Sequence, residues 1–104
     1  VNIPCTYTAN MVDSYGDGWN GALVSFEVNG VQVDSIGTTF ANGATATEFP
    51  SLPDMDSVVV RLKNAGFYPS EISFSLLNPQ GAAMFSHSAT TGLSSGDVLG
   101  VFYA

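Results

Sequence analysis

The chain is poor in positive charge. Two basic residues, Arg61 and Lys63, stand against nine acidic ones in 104 residues, a formal net charge of -7. Two cations cannot neutralise a run of phosphates or an anionic lipid surface, so nucleic acid and membrane head groups are excluded as partners. Cysteine is scarcer still. Cys5 is the sole one, which excludes an intrachain disulfide and leaves a buried thiol or a bond to another molecule. Its place at the head of an alternating pattern favours the buried thiol. No apolar run approaches the ~20 residues that a membrane helix needs, which argues against membrane insertion. Nor does any segment repeat apolar residues at helical spacing. No Asn has Ser or Thr two residues on, so N-linked glycans at that motif are excluded while O-linked sugars stay open.

What is present is a chain 45% hydrophobic and 12% aromatic, too apolar for disorder and of a length for one compact, soluble domain spanning residues 1–104. Its eleven Gly and many Ser and Thr make an uncharged, hydroxyl-rich surface, a composition more usual in extracellular or cell-surface β-proteins than in cytosolic enzymes. No signal peptide opens the chain, so Val1 reads as a mature start.

Gly, Pro, Asn and Asp punctuate the sequence at intervals suited to short strands. Cys5, Tyr7, Ala9 and Met11 alternate with polar residues as a first strand. Val24, Phe26 and Val28 form a second run, Val31 and Val33 a third, and Asn29-Gly30 between them is the signature of a type I′ hairpin. A two-residue loop sets Val28 opposite Val31 and Phe26 opposite Val33. Thr45 to Phe49 is a weaker strand. Val58, Val60 and Leu62 then mark another, and Ile72, Phe74 and Leu76 the next. Asn78-Pro79-Gln80-Gly81 suits a type I turn into Ala82–Ser86, and Val98–Tyr103 is the last strand. About eight short strands predict an all-β fold, an antiparallel β-sandwich of jelly-roll or Ig-like kind.

The least ordinary stretch is Asp13-Ser14-Tyr15-Gly16-Asp17-Gly18-Trp19-Asn20-Gly21. Three glycines leave the backbone free to fold tightly while Asp13, Asp17 and Asn20 converge, and such oxygen spacing suits a hard cation such as Ca2+. The match to an EF-hand is partial: Tyr15 takes the third position, and Val24 stands where the bidentate Glu belongs. The alternative is that Asp13 and Asp17 cap backbone amides in Asx-turns, with Tyr15 and Trp19 packed beneath as an anchor.

DSYGDGWNG, preceded by CTYTANMV, resembles the GDGW-type β-sandwich module of secreted, multidomain surface proteins of bacteria and algae. The segment Tyr68–Phe85, YPSEISFSLLNPQGAAMF, is similar to that module's later acidic-led strand, with Glu71 at the acidic position. The resemblance implies a non-catalytic extracellular domain and adds Glu71 as a fourth candidate metal ligand; otherwise Glu71 is a solvated strand-edge carboxylate. Two departures stand out. Members often carry a second Cys near the C-terminus to partner the one matching Cys5, and Val101–Ala104 has none. The module also usually sits within a longer chain, which leads to the expectation that the termini here are gripped by neighbouring copies, with Val1, Asn2, Ile3, Pro4 and Cys5 at an intermolecular contact.

Enzyme signatures are thin. Gly92-Leu93-Ser94-Ser95-Gly96 fits G-x-S-x-G, but that elbow works on a strand-to-helix turn over a parallel sheet. His87, the only histidine, reads as a surface-loop residue, and Asp54 and Asp56 beside Pro53 read as a solvated turn rather than a carboxylate pair. The function expected is a non-enzymatic structural or adhesion module, a self-assembling subunit of a surface fibre or filament whose partners are copies of itself. The alternative is a carbohydrate-binding module that stacks glycans on Tyr15, Trp19, Phe67 and Tyr68.

Overall fold

A computed structural model describes residues 4–16, 18–19, 21–38, 40, 43–53, 56–66 and 69–104. Among these residues ten strands are formed: β1 (Pro4–Thr6), β2 (Thr8–Asp13), β3 (Leu23–Val28), β4 (Val31–Ile36), β5 (Thr45–Glu48), β6 (Ser51–Pro53), β7 (Ser57–Asn64), β8 (Ile72–Leu77), β9 (Ala83–His87) and β10 (Val98–Tyr103). A 3-10 turn, Pro69–Glu71, leads into β8. Two four-stranded antiparallel sheets, ordered β5-β2-β8-β9 and β10-β7-β3-β4, pack face to face, and β1 pairs with β6 beside them. The fold is an all-β sandwich.

Alternation fixes the two inner faces. Ala9, Met11, Ile72, Phe74 and Leu76 come from the first sheet, and Val24, Phe26, Val58, Val60, Leu62 and Phe102 from the second, all buried in one core. A line of aromatic rings crosses that core: Phe40, Trp19, Phe74, Phe85, Phe102 and Tyr7 follow one another at centroid separations of 5.8 to 6.1 Å.

Two expectations are corrected. The first strand is two, β1 and β2, broken at Tyr7. The cause lies opposite: Cys5 pairs with Leu52 and Ala9 with Glu48 in one continuous register, interrupted where Pro50, which has no N–H, can only accept the Tyr7 N–H at 2.8 Å. The short strand β6 at Ser51–Pro53 is an addition, in a stretch the sequence pattern left unassigned. In the hairpin, Asn29 and Gly30 both take positive φ, 53° and 78°, and Val28 does face Val31. A bulge after Phe26 then sets Phe26 opposite Asp34 rather than Val33, so Val33 is left partly exposed and the Asp34 side chain points to the inner face.

Candidate functional site

One end of the sandwich is built by the glycine-spaced loop and two others. Asp13 closes β2 with its N–H on the Ala44 carbonyl at 2.8 Å, and Ser14 donates to the Glu71 carbonyl at 3.1 Å. Gly18 donates to Gly43 at 2.9 Å and Trp19 to Phe40 at 3.0 Å, so this end of the chain is stitched on one side to Phe40, Gly43 and Ala44 and on the other to Glu71, just before β8. Gly21 lies against Gly66, where an added Cβ would come 3.9 Å from the Gly66 Cα, which brings Gly66 to the same end. Each crossing needs a bare or left-handed backbone: Gly16, Gly18 and Gly21 have φ of 84° to 90°.

Trp19 is the keystone of this end. It is 1% exposed, its ring packs on Phe40 and Phe74, and its Nε1–H donates to the Val12 carbonyl at 3.1 Å. The ring therefore offers no face to a sugar, which removes it from the glycan-stacking set. Gly37 makes room for it: a Cβ there would lie 2.7 Å from the indole and 2.6 Å from the Ala22 carbonyl oxygen. Neither Gly37 nor Phe40 was legible as part of the site, since nothing in Gly37-Thr38-Thr39-Phe40 spells the seat of a tryptophan.

Asp13 is 2% exposed, and its Oδ1 accepts the Tyr15 N–H at 3.4 Å, an Asx-turn contact. Glu71 is half-buried at the end of the 3-10 turn, and because Asp13 pairs with Ile72 it is a backbone neighbour of Asp13 and Ser14. Two of the four candidate metal ligands are thus brought together along the chain; Asp17 and Asn20 lie outside the described residues. Among the described residues no three His, Cys, Asp or Glu side chains cluster as a metal would need. Tyr15 is 76% exposed, while Phe67 and Tyr68 lie outside the described residues. No cavity able to enclose a small molecule opens among the described residues.

At the other candidate contact, Pro4 and Cys5 are paired within the chain, Pro4 with Pro53 and Cys5 with Leu52, and Cys5 is half-buried against the core. Val1, Asn2 and Ile3 lie outside the described residues. His87, expected in a surface loop, instead ends β9 opposite Phe74. Its ring is half-buried against that phenylalanine at 5.8 Å, its Nε2 has no hydrogen-bond partner, and burial lowers its pKa from the ordinary 6.5. Comparison with known protein families, with curated proteins and with solved structures finds no match to this chain.

Proposed function

We propose that this chain is a non-enzymatic extracellular structural module, a self-assembling subunit of a surface fibre or filament. The observation that carries the reading is β10, a six-residue edge strand without a charge or a proline whose outer side chains are apolar and exposed. Monomeric β-proteins blunt such edges, because a bare row of N–H and C=O groups templates pairing with another chain. The sparse cations, the hydroxyl-rich composition and the resemblance of DSYGDGWNG to secreted surface modules support the extracellular setting. In this reading the acidic loop is a brace that ties β2 to β8, through Asx-turns or through Ca2+. Thermal melting with Ca2+ and with a chelator separates the two: a rise in Tm with Ca2+ alone assigns the brace to the metal.

Sedimentation of the purified chain from micromolar to millimolar concentration, with micrographs of the same samples, tests the reading. Association that grows with concentration is expected; a monomer throughout overturns it. The second reading, a glycan-binding module, rests on Tyr15, an exposed aromatic beside a buried carboxylate. Glycan binding abolished by Tyr15→Ala would favour it.

A further inference from the structure

Asparagine is thermally labile because the backbone nitrogen of the next residue can attack its side-chain amide. The attack needs a nitrogen that carries a hydrogen, no hydrogen bond holding either group, and no Cβ on the next residue to crowd the approach. Four asparagines lie among the described residues, and three fail these conditions. Asn10 accepts a hydrogen bond from the Thr47 hydroxyl at 3.3 Å, and Met11 after it is paired on both sides, with Ala46 and with Phe74. The Asn64 side chain accepts the Gly66 N–H at 2.9 Å, while the Ala65 N–H donates to the Ser95 hydroxyl at 2.8 Å. Asn78 accepts the N–H groups of Gln80 and Ala82, and Pro79 after it has no N–H to lose. Asn29 is the exception. It stands exposed at the tip of the hairpin between β3 and β4, and neither its side chain nor the Gly30 N–H makes a hydrogen bond among the described residues. Gly30 has no Cβ, and the space where one would stand is empty to 4 Å.

We infer that Asn29 is a site of spontaneous deamidation, in which water converts it to aspartate and isoaspartate through a cyclic imide closed on the Gly30 nitrogen. The Gly30 nitrogen forms a bond to Asn29 Cγ as the Cγ–Nδ2 bond breaks, and Nδ2 leaves as ammonia with the proton that the Gly30 nitrogen gives up. Water then opens the imide at either carbonyl carbon. Opening at Cγ restores the main chain with an aspartate, whereas opening at the Asn29 carbonyl carbon leaves the main chain running through Cβ and Cγ, an isoaspartate. No electron changes hands. Each event adds one carboxylate to a chain already at -7. Isoaspartate also lengthens the main chain by one carbon, in a loop whose two residues set Val28 opposite Val31, so pairing at the tip is lost. The change stops there, because beyond the bulge Asp34 accepts the Ser51 N–H at 2.7 Å and holds the far half of β4 in place. The reaction needs no partner and stands apart from the self-assembly reading.

The test is a site-resolved mass map of the folded chain after storage in mildly alkaline buffer, with isoaspartate distinguished from aspartate by electron-transfer fragmentation. Asn29 is expected to react at least about tenfold faster than Asn10 or Asn64, a barrier lower by about 1.4 kcal/mol or more. Isoaspartate is expected beside aspartate, since direct hydrolysis of the side chain would give aspartate alone. Asn29→Gly is the control, because glycine accepts the positive φ of this turn and offers no amide to attack. Hydrogen exchange of the stored samples is expected to show lost protection at Val28 and Val31 in the wild type and none lost in Asn29→Gly. An Asn29 that stays intact, that reacts no faster than Asn64, or that yields aspartate without isoaspartate overturns the assignment. Equal loss of protection in stored wild type and Asn29→Gly overturns the consequence drawn for the turn.

Discussion

The two edges of one sheet, β4 and β10, are built on opposite plans. At β4 the side chains are fixed to the body of the protein: Asp34 bonds the N–H groups of Ser35 and Ser51, each at 2.7 Å, and Gly37 just beyond lets Trp19 lie directly against the backbone. At β10 the strand sends Phe102 into the core between Phe85 and Tyr7. Gly100 sits over Phe85, where an added Cβ would come 2.5 Å from Cε1 and 2.9 Å from Cζ, and no charged side chain belongs to the strand. One edge is anchored and guarded; the other is bare and compliant. Among the described residues no strand pairs with the outer side of β10, and the proposed self-assembly is placed on that edge.

The largest expected effect breaks the anchored side. Gly37→Ala places a methyl group against a carbonyl oxygen and the rigid indole at φ 106°, a backbone conformation that alanine resists, and neither neighbour can yield without opening the core. A loss of about 3 kcal/mol is expected from overpacking and strain together, read by urea denaturation. A smaller loss would mean that the Trp19 end is softer than its packing indicates.

Next comes the guard itself. Asp34→Ala deprives two amides of their acceptor and is expected to cost about 1–2 kcal/mol. It should also uncover β4, so that the variant aggregates faster than wild type in light scattering while Asp34→Asn, which keeps an acceptor, does so less. Equal aggregation by wild type and Asp34→Ala would show that the bulge after Phe26 is sufficient protection.

Much of this architecture was legible in the sequence, and the parts that were not share a cause. Val98–Tyr103, the strand at Val58 to Leu62 and the left-handed Asn29-Gly30 turn are written in local alternation and local turn chemistry, and each appears where that chemistry puts it. The bulge after Phe26 was not, because the hairpin loop fixes register only near Val28 and Val31, and the pairing beyond it meets contacts from later in the chain, such as Asp34 with Ser51. The break at Tyr7 depends on Pro50, a residue more than forty positions away. At the loop end, glycine spacing made a tight, convergent turn readable, but the seat of Trp19 is made by Gly37, Phe40 and Phe74, which only the fold assembles. The guard at Asp34 is of the same kind: it exists because β6 passes beside β4.

On the compliant side, Gly100→Ala is expected to cost about 1 kcal/mol, less than Gly37→Ala, since the methyl group meets the rim of a phenyl ring that is half-buried and can shift. Adding Phe85→Leu should recover part of that loss, and the double-mutant cycle measures the contact directly. Additivity of the two substitutions would mean that β10 adjusts its backbone rather than the ring.

The smallest effect belongs to His87, on the edge β9 that lies across the sandwich from β10. The imidazole is held against Phe74 with Nε2 buried and without a hydrogen-bond partner, so its charged form is disfavoured in the folded state and its pKa is lowered from 6.5. The unfolded chain, at the ordinary value, takes up a proton first as pH falls. The stability linked to His87 is therefore complete above the unfolded value and is lost as pH descends from there through the folded one, below which it changes no further. Between about pH 7.5 and 5.5, where carboxylates of ordinary pKa stay ionised, wild-type stability should decline while that of His87→Gln stays flat. A common slope in both proteins would transfer the pH dependence to the acidic residues, and would leave the β9 side of the sandwich no softer than the anchored edge at β4.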